Sequence, residues 1–159
     1  MELFDGEMKF LLLHRLFNHL LLPVIQVMIQ SRLKQEHSCP DTVVKERYFT
    51  SINKSLHINF RIQNINDVRL LLRIIKENVW SVFSAQEMKL SEKLKRARDK
   101  LAHDTEFNTE FTISVLISVK ALLKEIYGTN KELGIKEEIP FKAFASINQH
   151  FKRYFHISV

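Results

Sequence analysis

Three glycines and three prolines in 159 residues leave this chain few places to turn. Sandwiches, barrels and glycine-rich dinucleotide folds all need many tight turns, so the scarcity points to long helices. The length suits a single domain, residues 1–159, able to bury about two thirds of its unfolded surface. Hydrophobic residues make up 45% and charged residues 26%, which excludes general disorder. The expected architecture is therefore all-α, a single-domain bundle of five to six helices.

The apolar spacing divides the chain into segments. Residues 10–29, FLLLHRLFNHLLLPVIQVMI, form the most apolar stretch. A membrane-spanning helix wants about 20 apolar residues with few or no charges. His14, Arg15, Asn18, His19 and Gln26 interrupt this one, and Pro23 sits in its middle. Acidic Glu2, Asp5 and Glu7 precede it, unlike the basic start of a signal peptide. It reads as a buried first helix over about residues 3–34, kinked or split at Pro23, with no membrane involved. Partial burial by a second subunit is its functional reading.

After a connection at residues 37–40, Asp41 or Thr42 caps a second helix, VVKERYFTSINKSLH. LHINFRI alternates like a strand but stands alone, and is expected to be an extended connection. Asn64, Asn66 and Asp67 precede a third helix, DVRLLLRIIKENVWSVFSA, with Trp80 and Phe83 on its packing side. A more polar fourth helix covers about residues 86–102. Thr109 is placed to cap a fifth, EFTISVLISVKALLKEIYG, with Gly128 as its stop. Its β-branched run also allows a buried strand, but a length near 19 residues favours helix. FKAFASINQHFKRYF, after Pro140, makes the last helix.

Candidate chemistry is narrow. Cys39 is alone, so there is no disulfide framework and no thiolate zinc site, which fits a reducing, intracellular setting, nuclear or cytoplasmic. Nothing has metal-ligand spacing, and no cofactor is expected; His14 and His19, five apart, fall on different faces of an α-helix. The formal charge is +6, compatible with a polyanion partner such as RNA. The fourth helix concentrates it: Lys89, Lys93, Lys95, Arg96, Arg98 and Lys100 oppose only Glu92 and Asp99, and the run ends at His103. Arginine and lysine hold phosphate, and histidine moves protons near neutral pH. On an unbroken helix Arg98 and His103 lie about 140° apart, whereas Arg96 and His103 nearly eclipse. Either the helix loosens before His103, or Arg96 is the nearer cation. Asp99 shares a face with His103.

The string Arg98-Asp99-Lys100-Leu101-Ala102-His103 resembles the R-polar-x3-H signature of HEPN (higher eukaryotes and prokaryotes nucleotide-binding) domains. The flanking helices are similar to that family's frame over about residues 67–127. Among its members the chain looks most like the domain that follows a PIN nuclease domain in a transcript-surveillance endonuclease. The resemblance implies a metal-independent RNA endonuclease whose two copies share a cleft: a homodimer, with RNA as ligand and a PIN nuclease or other partner domain nearby. It assigns phosphate binding and charge stabilisation to Arg98, orientation to Asp99, and general acid or base work to His103, with Lys93, Arg96 and Lys100 contributing RNA contacts. The alternatives are a non-catalytic dimerisation or RNA-binding module and, third, a helical protein-interaction adaptor. Thr105 stands where toxin-type members carry tyrosine, so control through that tyrosine is not implied.

Overall fold

The structure is a computed structural model that describes residues 5–37, 66–78, 81–103 and 108–135, together with Ala145, Asn148, Gln149, Lys152 and Arg153. The expected second helix, the LHINFRI connection, Cys39, Trp80 and most of the last helix lie outside the described residues. Within them the protein is all-helical, with no strand. Four of the expected helices are present if the first is counted as one rod.

That rod comprises α1 (Asp5–Arg15), a π-helical turn (Leu16–Leu21) and α2 (Leu22–His37). Pro23 is accommodated without a break. A proline clashes with the carbonyl four residues back, and here the preceding backbone widens to i→i+5 spacing. The Leu22 N–H donates to the Phe17 carbonyl, and the Asn18 side-chain amide donates to the His14 carbonyl at 3.1 Å. Leu13, Leu16, Phe17, Leu20, Leu21, Ile25 and Ile29 are wholly covered. Glu7–Arg32 is also long and apolar enough, by length and composition, to cross a membrane. Here its inward face closes on the other helices through the shared core.

The third helix, α3 (Val68–Glu77), starts where expected: the Asp67 carboxylate accepts the Arg69 N–H at 3.0 Å. It ends well before the Trp80 and Phe83 pair that the sequence places on it. Asn78 adopts the left-handed conformation (φ 47°), and its side-chain oxygen accepts the N–H groups of Val82 (3.0 Å) and Phe83 (3.1 Å). Asparagine tolerates this region because its short amide bonds locally to the backbone. The apolar pattern runs straight through this turn, so periodicity alone merges the two segments. Val82 and Phe83 are still buried, packed from the loop.

α4 (Ala85–His103) and α5 (Thr109–Glu132) follow. The cap of α5 is Asn108, whose side chain accepts the Phe111 N–H at 2.7 Å; Thr109 is the first helical residue. Gly128 does not stop α5. The helix passes through it and closes at Gly134 (φ 76°), where the Ile135 N–H bonds the Asn130 carbonyl and the Gly134 N–H bonds the Lys131 carbonyl. This is a Schellman close, and glycine fits its left-handed position. α4 packs most extensively on α3 and α5, while the first rod lies against α3 and α5.

Candidate nucleic-acid interface

Local chemistry starts α4. Ser84 and Glu87 form a capping box: the Ser84 hydroxyl accepts the Glu87 N–H (3.1 Å), and the Glu87 carboxylate accepts the Ser84 N–H (2.8 Å). The same carboxylate, fully buried, takes both terminal nitrogens of the equally buried Arg32 at 2.5 and 2.6 Å. The Arg32 Nε donates to the Asn130 side chain at 2.9 Å, and its Nη1 to the Val82 carbonyl at 3.2 Å. One arginine thus ties α2, the start of α4 and the end of α5 together. The spacing of Arg32 to His37 resembles an R-x4-H pair, but this arginine faces the interior, away from any ligand.

From that anchor α4 runs unbroken to His103. Leu90, Ser91, Leu94, Ala97 and Leu101 are buried, and the opposite side carries Lys89, Lys93, Arg96, Lys100 and His103, all exposed. These five follow 4-3-4-3 spacing, which on an α-helix is one continuous stripe about 20 Å long. Nearby acids are engaged with cations. Glu92 bridges Arg96 (3.0 Å) and Lys76 of α3 (3.7 Å); Asp99 bridges Arg69 of α3 (2.6 Å) and Lys95 (3.7 Å). Between residues 67 and 103 nine lysines and arginines face five acids, and one of those acids is the buried Glu87. Most of the chain's formal charge of +6 therefore sits on the α3–α4 pair.

The sequence-predicted site residues separate into two groups. Lys93, Arg96, Lys100 and His103 share the exposed stripe. Lys100 also lies over the Phe111 ring, 5.1 Å from its centroid. Arg98 does not join them. The helix does not loosen before His103, so Arg98 stays about 140° round the axis. It is half-buried, and its Nε is buried with no hydrogen-bond partner. Asp99 is held by Arg69 and Lys95. Of the two geometries open from the sequence, an unbroken helix with Arg96 as the nearer cation is the one adopted.

Arg69 is the cation beside the candidate site that sequence reasoning missed. Nothing in VRLLLRIIKE marks it, because only the packing of α3 on α4 brings it to Asp99. Among the described residues no three His, Cys, Asp or Glu side chains converge as a metal site. Comparison with protein-family models, curated proteins and solved structures finds no match.

Proposed function

We propose that this is an RNA-binding helical domain of HEPN-like character, in which the exposed face of α4 takes the phosphodiester backbone. The observation that carries the reading is the regular stripe Lys89, Lys93, Arg96, Lys100 and His103, beside which Glu92 and Asp99 are occupied by cations. Exposed ion pairs contribute only about 0–1 kcal/mol, so a phosphate displaces the Glu92–Arg96 contact at little cost. Fluorescence anisotropy with single-stranded RNA tests this. Charge reversal at Lys89, Lys93, Arg96 and Lys100 abolishes binding, whereas reversal at the exposed Lys124 and Lys131 of α5 leaves most of it. Equal losses from both sets reduce the attraction to net charge and favour a protein-interaction adaptor.

One observation favours a second, catalytic reading: the stripe terminates in an exposed histidine two helical turns from an exposed arginine on the same face. The HEPN resemblance supplies a use for that pair, cleavage without metal at a cleft shared by two copies. His103 takes the proton of the 2′-hydroxyl as that oxygen bonds to phosphorus, and an arginine stabilises charge growing on the phosphate. The bond to the 5′-oxygen breaks as that oxygen takes a proton from water, leaving a 2′,3′-cyclic phosphate. Arg96 is the arginine on the histidine's face; Arg98 serves only if the partner copy meets its side of the helix. Self-association measured by light scattering separates a composite site from a monomeric binder.

A further inference from the structure

The π turn before Pro23 changes which side chains of the first rod are neighbours. On a regular α-helix, residues five apart point about 140° apart. Here the turn over Leu16–Leu21 brings the rings of His14 and His19 to 6.2 Å between centroids, inclined at 52°. Both side chains are exposed. The turn is fixed on its inner side by fully buried Leu16, Phe17, Leu20 and Leu21. On the outer side, Asn18 bonds the His14 carbonyl, and Phe10 lies 6.0 Å from the His14 ring. Two imidazoles are therefore presented side by side by a locally widened backbone whose inner side chains are buried. π turns of this kind recur at functional sites.

We propose that His14 and His19 form a two-histidine chelate for a borderline divalent transition ion such as Zn(II) or Cu(II), a site separate from the α4 interface. Imidazole is the ligand type such ions prefer. With ligating nitrogens about 2.0–2.1 Å from a tetrahedral ion, two ring centres stand about 5 Å apart, so side-chain rotation of about 1 Å closes the pair. Among the described residues no third His, Cys, Asp or Glu joins them. Two coordination positions then remain for water or an outside ligand.

Isothermal titration of the untagged full chain with zinc chloride, and electron paramagnetic resonance of the copper(II)-loaded protein, test the proposal. Loss of a ligand costs at least the 10–100-fold that loss of a second-shell partner costs, so His14→Ala and His19→Ala each weaken binding by about tenfold or more. In wild type, one ion binds per chain and the copper spectrum carries two coordinated imidazole nitrogens. Each single variant leaves one nitrogen. No wild-type binding below millimolar zinc, or binding that only one of the two substitutions affects, overturns the chelate. Circular dichroism of both variants matching wild type assigns any loss to the ligands. These readouts do not depend on RNA, so the RNA-binding reading stands or fails separately.

Discussion

Arg32 and Glu87, 55 residues apart, meet in the interior with both carboxylate oxygens on both terminal guanidinium nitrogens and no exposure of either side chain. Glu87 is at once the closing residue of a capping box, at the third helical position, and the counter-ion of a buried arginine. The helix that presents the cationic stripe is therefore positioned by a contact that begins in the first rod.

Removing one member of a buried pair leaves an uncompensated charge, at a cost of about 3–5 kcal/mol. Glu87→Gln retains the capping function, because glutamine also serves at that position, so it isolates the loss of charge. Urea unfolding should show a loss of about 3 kcal/mol for Glu87→Gln. The double variant R32M/E87Q should recover part of it by removing the stranded cation. A double variant that loses as much as the sum of both singles would show that Arg32 stabilises mainly through Asn130 and Val82, independently of Glu87.

Asn78 gives a second stability test. Asn78→Ala loses the bonds to Val82 and Phe83 and places a Cβ with no compensating bond in the left-handed region, together about 2–3 kcal/mol. Asn78→Gly loses the same bonds without the backbone strain and should be milder by about 1 kcal/mol. Equal midpoints for the two variants would mean that the turn relaxes out of the left-handed conformation once the amide is gone.

RNA affinity should fall steeply with salt. Single strands release counterions with a slope of about −0.7 per phosphate neutralised, so four stripe cations give about −3 in log K against log salt. Lys93→Ala should lower the slope by roughly one phosphate's share, and by the same amount for RNAs of different sequence. Sequence-dependent losses would indicate base reading instead.

Cleavage, where present, should survive EDTA and fail on DNA or 2′-methylated RNA, since the nucleophile is then absent. His103→Ala should abolish it with the fold intact, because the side chain is exposed at the end of α4. The unbroken helix makes Arg96→Ala the more damaging arginine substitution within one chain. Greater damage from Arg98→Ala, together with dimerisation, would place the half-buried Arg98 side of α4 at the shared cleft. RNA bound but uncut by wild type leaves the binding reading alone.

Much of the fold is legible locally. Asp67 caps α3 as its residue type suggests, and the 3.6-residue spacing of Val68, Leu71, Leu72 and Ile75 predicts the buried face observed. The Ser84-Ala85-Gln86-Glu87 string is a capping box that starts α4 at Ala85, but the apolar pattern running through Val82 and Phe83 hides it by merging these residues into the third helix. Gly128 misleads, because glycine within a long helix costs only about 1 kcal/mol and the tertiary packing of α5 carries it through. The stripe of α4 follows from spacing, but which side of the helix faces solvent follows only from where α3 and α5 pack.

The sequence by itself determined the helical class, the start of α3 at its Asp67 cap, and the concentration of positive charge on α4, because caps, periodicity and charge act within a few residues along the chain. Tertiary structure decided the rest. It buried Arg32 against Glu87, brought Arg69 to Asp99, and widened the backbone at the π turn until His14 and His19 became neighbours. Those arrangements depend on the packing of segments up to 98 residues apart, as in the Arg32–Asn130 bond, or on how a buried helix absorbs a proline. A buried ion pair is stable only when the surrounding helices supply its remaining hydrogen bonds, and no local pattern of residues encodes that condition.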